Sequence, residues 1–321
     1  MGRTIHRADP QTLSKDISGK TYIVTGANSG VGLETTRQLI KQGGHVVMAC
    51  RRVPAGEEAA QSFIGLNGTW EVLQCDLADL SSVRSFVDAF LAKHDRLDGL
   101  MCNAGMVNMV NEVSLTKDGF ELTMAASFYG HFLMTEMLLE TLKASAPARI
   151  GILSSVVHAG NPKSRPSINL DDMNFQNRDF NNFAAYGEAK LAVVLYAKEL
   201  AERLEGTGVT TASIHPGWAR SNFGSGGNAL MKGLMTIARP IFKAFNTSDT
   251  NEDSAQTSLH VLLSDDAPNH NGAYFSQSSV LYRDPGTKNG GWPMKSPNPN
   301  ADDIDMARRL TAHARQAVGL A

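Results

Sequence analysis

A chain of 321 residues with 42% hydrophobic content can bury a large core, and it suits one large α/β domain better than two independent ones. A net charge of -2 and the lack of a long basic run argue against a nucleic-acid partner. Cys50, Cys75 and Cys102 are far apart and form no C-x-x-C, so they read as buried thiols of a reducing compartment rather than metal ligands.

Met1 to Asp16 is polar, with no apolar h-region, and no later apolar run is long enough to span a bilayer. The expectation is therefore a cytoplasmic protein. The short β-branched and aromatic run Thr21 to Thr25 reads as a buried first strand. A helix is predicted from about Val31 to Gln42, stopped by Gly43-Gly44, and a second strand from His45 to Cys50. Alternation continues with a helix over Pro54 to Ile64, a strand over Glu71 to Cys75, a helix over Ser81 to Lys93 and a strand over Leu97 to Cys102. A long helix is expected from Lys117 to Lys143, then a strand from Arg149 to Ser154. A polar connection leads to a helix from Tyr186 to Arg203 and a sixth strand, Val209 to His215. Helices over Ala229 to Phe245 and Asp253 to Leu263, a short strand over Ala273 to Ser276 and a last helix over Asp302 to Ala317 complete the chain. Tyr282 to Pro299, rich in Gly, Pro and Asn, reads as a surface excursion. Strands alternating with helices give a doubly wound parallel sheet in three layers, α/β/α, with ligands outside the carboxyl ends of the strands.

The motifs fall at those ends. Thr25-Gly26-Ala27-Asn28-Ser29-Gly30-Val31-Gly32 joins the first strand to its helix. Its glycines allow a tight turn and a close backbone approach to a pyrophosphate, which then meets the N–H groups of the helix start. Arg51 and Arg52 follow the second strand, where an acid would bond the adenosine ribose 2′-hydroxyl and an arginine can hold a 2′-phosphate. No acid ends that strand, which favours NADP(H) over NAD(H). Asp76-Leu77 after the third strand suits the adenine amino group, and Asn103-Ala104-Gly105 after the fourth gives small residues where a backbone must pass close to a cofactor. Ser154-Ser155 ends the fifth strand, where a serine hydroxyl can donate to a substrate carbonyl.

Tyr186 and Lys190 are four residues apart, on one helix face and about 6 Å apart along the axis. A cation beside a phenol stabilises the phenolate, and bringing tyrosine from near 10 to neutrality needs roughly 3 units, or about 4 kcal/mol. The expectation is a phenol kept acidic by its lysine neighbour. His158, His215 and the other histidines show no metal spacing such as H-E-x-x-H, and core or surface roles are expected for them.

In the order TGANSGVG, ACRR, CDL, NAG, SS, YGEAK and HPG, the chain resembles the short-chain dehydrogenases/reductases over nearly its whole length. The segments GHFLMTEMLLETLKASAPARI, ELAERLEGTGVTTASIHPG and the closing VGLA look most like the branch of retinol dehydrogenases and light-dependent protochlorophyllide reductases. The resemblance implies a Rossmann fold and a single domain over residues 1–321. Within it, 1–18 is an extension, 19–220 the nucleotide-binding and catalytic core, and 221–321 the substrate lid, last strand and tail. It implies Tyr186 as general acid/base, Lys190 on the nicotinamide ribose, Ser155 orienting the substrate oxygen, and Pro216 and Gly217 lining the nicotinamide. It also implies a lipophilic small-molecule substrate and a monomer or homodimer.

Three departures qualify it. Family members usually carry Asn-x-x-Gly-His-Phe on the fourth helix, the Asn holding a water of the proton relay; here Ser127 takes that place, so slower turnover is expected. Ala189 stands where a serine usually precedes the lysine. Trp218 and Ser155 stand where the photochemical enzymes usually have cysteine and threonine, which favours carbonyl/alcohol chemistry over light-driven C=C reduction. A third reading, an NADPH-binding regulator without turnover, rests on Ser127 alone. Apolar residues at Leu230, Leu234, Ile237, Ile241 and Phe245 have helical spacing. A lid helix packed on the core is preferred there to one that also touches a membrane peripherally, since Pro240 interrupts the pattern.

Overall fold

The computed structural model describes residues 4–218, 250–279, 281–282 and 285–320. The strands are β1 (Thr21–Thr25), β2 (His45–Cys50), β3 (Thr69–Gln74), β4 (Gly99–Cys102), β5 (Ala148–Leu153), β6 (Val209–His215), β7 (Tyr274–Ser276) and β8 (Gly291–Met294). They form one sheet in the order β3-β2-β1-β4-β5-β6-β7-β8. Neighbours run parallel except β7 and β8. The chain winds outward from β1 to β3, then returns to the other side of β1 with β4. The loops after β1 and β4 therefore leave in opposite directions and open a crevice at the carboxyl edge.

Alternation along each strand supplies two cores. Ile23 and Val47 face one side, with α4 (Leu80–Leu91), α6 (Gly130–Ala144), α7 (Asn182–Arg203) and α10 (Ile304–Ala317). Tyr22, Val24, Val46 and Met48 face the other, with α2 (Gly30–Lys41), α3 (Val53–Ala60) and α8 (Asn251–Leu263). Strands buried on both faces have no polar side to show, which is why they read as continuous apolar runs. Cys50, Cys75 and Cys102 are buried free thiols, packed in the two cores.

Three expectations change. The helix placed from Lys117 starts later: the chain turns at Gly119 with φ +84°, and Glu121 caps α5 (Leu122–Met124) by accepting from the Met124 N–H at 2.8 Å. A turn of π-helix, Ala125–Tyr129, then leads into α6. Gly130 sits at that junction because a Cβ there would lie 2.3 Å from the Leu77 carbonyl oxygen. The helix carrying Tyr186 opens earlier, at Asn182, since the Asn181 side chain accepts from the Phe183 and Ala184 N–H groups; Tyr186 thus lies in its second turn. The segment read as a surface excursion instead supplies β8, the short α9 (Pro285–Lys288), the buried Tyr282 and the fully buried Asn298. The helix expected over Ala229 to Phe245 lies outside the described residues. Among the described residues no helix is long and apolar enough to cross a membrane.

Candidate active site

The glycine turn follows β1 directly. Gly26 has φ +64°, a conformation that side chains rarely adopt. Gly32 is held so tightly that a Cβ would lie 2.5 Å from both the Gly26 carbonyl oxygen and Asn103 Nδ2. Asn103 closes the turn from the β4 side, its side-chain nitrogen donating to the Thr25 carbonyl at 2.8 Å. Ser29 precedes α2 without capping it through its side chain, and no acid stands in the first helical turn, so the N–H groups of that end are open to an anion. A strand-end cradle that side chains would fill, facing an uncapped helix start, fits a dinucleotide. Asn28, Ser29 and Gly30 are half-buried on its rim, and Val31 is buried behind it. Arg51 and Arg52 are exposed just beyond β2. Asp76 is half-buried, its Oδ1 accepting from the Ala78 N–H at 3.0 Å. Leu77 is buried against Gly130.

Four side chains converge past the ends of β4 and β5. Ser155 caps a short 3-10 turn, Val156–Ala159, its hydroxyl accepting from the Val157 N–H at 3.4 Å. The same hydroxyl is hydrogen-bonded to that of Tyr186. Lys190, 2% exposed, donates from Nζ to the Leu153 carbonyl at 2.7 Å, and Nζ lies 5.7 Å from the centre of the Tyr186 ring. Ser154 donates to the Lys190 carbonyl at 2.8 Å and so ties the strand end to the helix. A Cβ on Gly105 would sit 3.2 Å from Lys190 Nζ and 3.7 Å from Ser127 Oγ, so the missing side chain leaves an open place that faces both groups. Pro216, buried, and Gly217, half-buried, follow β6.

The electrostatics differ from the expectation. Burial pushes the Tyr186 hydroxyl above the usual phenol range, and the hydrogen bond from Ser155 offsets this only in part. Burial likewise lowers Lys190 to about 7. The phenol is therefore less acidic than in water, because desolvation of the charged form outweighs the hydrogen bond from Ser155.

The sequence reading missed His131. Thr25 Oγ1 accepts from the Asn103 and Ala104 N–H groups at 2.9 Å each, which uses its lone pairs. Its proton has two acceptors, the Met101 carbonyl at 3.5 Å and His131 Nε2 at the shorter 2.9 Å, and His131 Nδ1 lies 3.5 Å from the Ser127 carbonyl oxygen. Burial and the nearby Lys190 hold His131 neutral, with its pKa down at about 3. The imidazole thus joins the end of β1 to the π-helical turn that carries Ser127. Its signal in the sequence was the spacing of four residues from Ser127. His158 was expected in a core or surface role, and it is buried. It contacts the Ser155 carbonyl through Nδ1 at 2.6 Å and Ser296 Oγ through Nε2 at 2.8 Å. Asn298 donates to the His158 carbonyl at 2.8 Å and the Pro166 carbonyl at 3.0 Å, so the segment around β8 braces the turn that Ser155 opens.

The short chain dehydrogenase family matches residues 20–165. Human retinol dehydrogenase 13 is 39% identical over 308 residues, covering 95% of this chain and 86% of that protein. Mouse retinol dehydrogenase 12 is 40% identical over 273 residues, covering 84% and 82%. Among solved structures, an uncharacterised protein from Mycobacterium paratuberculosis superposes with a TM-score of 0.72 at 30% identity, covering 95% of each chain. L-sorbose reductase from Gluconobacter frateurii, complexed with NADPH and L-sorbose, gives a TM-score of 0.64 at 19% identity, covering 82% of this chain and 96% of that one; at that identity the likeness is one of fold.

Proposed function

The chain belongs to the short-chain dehydrogenase family, as an oxidoreductase of its retinol dehydrogenase branch, and on that premise we propose that it interconverts, with NADP(H), a carbonyl and an alcohol on a large apolar molecule. One observation carries the proposal: Ser155, Tyr186 and Lys190 converge beside Gly105, next to a glycine turn shaped for a dinucleotide.

When bound, the nicotinamide supplies or accepts the hydride. The chain's residues do the rest. Gly26, Asn28, Ser29, Gly30, Val31 and Gly32 would hold the pyrophosphate, with Asp76 and Leu77 at the adenine and Asn103, Ala104 and Gly105 beneath the cofactor. Arg51 and Arg52, with no acid at the end of β2, would take a 2′-phosphate, and Pro216 and Gly217 would flank the nicotinamide. Ser155 and Tyr186 present two hydroxyls to the substrate oxygen. Because burial raises its pKa, Tyr186 stays protonated throughout the neutral range and can donate once that oxygen gains negative charge. In the oxidative direction the phenol must first lose its proton, which burial opposes, so oxidation should gain with rising pH. In its protonated form Lys190 has two further N–H groups besides the one given to Leu153, available to a ribose hydroxyl. Ser127 would hold the water of a relay to Lys190.

Two features support an apolar substrate: the relatives are named retinol dehydrogenases, and Trp218, 37% exposed, directly follows Gly217. One sheet takes strands from both 19–220 and 221–321, which supports treating the chain as a single domain. The test is NADPH oxidation in darkness across short polar, long aliphatic and retinoid aldehydes. Rates should climb with apolar size. Turnover of small polar carbonyls alone, or only of a tetrapyrrole under illumination, overturns the proposal.

A further inference from the structure

At the opposite edge of the sheet, where the strands begin, the parallel register of β2 and β3 places His45 beside Thr69, with Glu71 two residues on and so on the same face. His94, just past α4, brings its ring to the same place, stacked on Phe90 at 4.9 Å and 5.1 Å from the His45 ring. One donor atom from each of His45, Glu71 and His94 lies within 4.8 Å of the others. Both imidazoles address a single carboxylate oxygen, Glu71 Oε1, His94 Nε2 at 2.5 Å and His45 Nε2 at 3.9 Å. His45 Nε2 is buried and has no hydrogen-bond partner. The other ring nitrogen, Nδ1, is 2.8 Å from Thr69 Oγ1, which can accept its proton and leave the Nε2 lone pair directed at the cluster. The three side chains are 19–27% exposed, so an ion can reach them from solvent.

We propose that His45, Glu71 and His94 form a binding site for one borderline divalent transition-metal ion, zinc foremost, at the amino edge of the sheet. Two imidazoles and one carboxylate oxygen are the donor types such an ion takes, with water as its fourth ligand. Thr69 supplies the outer hydrogen bond that fixes the tautomer of one ligand. Bonds of about 2.0 Å in a tetrahedron put ligand atoms roughly 3.3 Å apart, so the rings and the carboxylate need shift by only about an ångström. Lys93 holds the other oxygen, Oε2, at 2.7 Å and leaves Oε1 to the ion. The length of β2 separates this site from the carboxyl edge by about 17 Å. The ion would pin the starts of β2 and β3 to the end of α4 and act on stability rather than on turnover.

The test uses the full chain, stripped with a chelator and titrated with zinc chloride, read by calorimetry and thermal melting, and with cobalt chloride, read by its visible absorption. The site predicts one ion per chain, a melting temperature that rises with added zinc, and the strong absorption of tetrahedral cobalt. His94→Ala and Glu71→Gln should abolish all three. Thr69→Val leaves the ligands in place and should weaken affinity roughly 10–100-fold. Lys93→Met removes a like charge and should tighten binding, a result no purely structural role of the cluster predicts. Substoichiometric uptake by the wild type, or uptake unchanged in folded His94→Ala and Thr69→Val, overturns the proposal.

Discussion

The two edges of one sheet carry titratable clusters built on opposite plans. At the amino edge Glu71 meets Lys93 and His94, with side chains 19–54% exposed, so charges are met by opposite charges and by water. At the carboxyl edge Lys190 is 2% exposed, and among the described residues no carboxylate pairs with it; its ammonium is left with a backbone carbonyl. A buried cation without a counter-charge costs stability, and such strain is retained where a site needs it. Of these two clusters, the one where β2 and β3 start is solvated and paired, and the one beside the glycine turn is desolvated and, among the described residues, without a carboxylate partner.

The strongest way to test that contrast is Tyr186→Phe. Only the hydroxyl goes, so the packing of a residue 8% exposed is kept. Turnover should fall ~10²–10⁴-fold, with NADPH binding unchanged by fluorescence titration. A variant with ordinary turnover removes Tyr186 from the mechanism.

Lys190→Met sharpens the contrast from the stability side. The folded pKa is about 7 and the unfolded value near 10.5. Between them the unfolded chain binds more protons, so wild-type stability should rise with pH across that window; below about 7 the full penalty applies. Methionine removes the penalty together with the bond to Leu153. The expected result at pH 7 is an enzyme about 2 kcal/mol more stable in denaturant melts, with turnover lost. The stability gap should be widest below pH 7 and close toward pH 10.5. A next step in size is the double change Arg51→Ala with Arg52→Ala. Losing charge-assisted bonds to a phosphate should raise KM for NADPH about 10–100-fold and leave KM for NADH nearly unchanged. Equal effects on both cofactors would show that neither arginine reads the 2′-phosphate.

How much of this was legible in the residues follows a physical divide. Strands buried on both faces are written as apolar or β-branched runs, and β1, β2 and β6 start and stop where the sequence puts them. The glycine turn was legible for a related reason: a backbone packed so closely that a Cβ would lie 2.5 Å from its neighbours leaves no room for another residue type. The π-helical turn was not, since Ala125–Tyr129 has nothing in its composition to distinguish it from α-helix. The brace around β8 was not either. Asn298 is buried by contacts with His158 and Pro166, more than 130 residues away in the chain, and its composition alone reads as loop. The sign of the Tyr186 shift was misread because spacing reveals a neighbour but not the depth of burial, and burial is the larger cause.

The smallest expected effect lies at Ser127, where the sequence departs from the pattern that its family resemblance implies. Ser127 is fully buried, and among the described residues its hydroxyl reaches only the Met106 carbonyl, at a long 3.5 Å. The empty Cβ position of Gly105 faces both Ser127 Oγ and Lys190 Nζ, so a water held there must span both groups. Asparagine carries its amide oxygen and nitrogen one bond further and could hold that water closer to the lysine. The same π-helical turn leaves the Ser127 carbonyl facing His131, so the side chain can lengthen without disturbing that contact. Overpacking at a fully buried site should cost about 1–3 kcal/mol of stability. Against that, Ser127→Asn should raise kcat a few-fold, since a tenfold gain needs only ~1.4 kcal/mol off the barrier. It should also shrink the solvent deuterium isotope effect and leave KM for NADPH alone. A slower variant with an unchanged isotope effect would mean that proton resupply bypasses this position and that the serine is simply the residue that fits the turn.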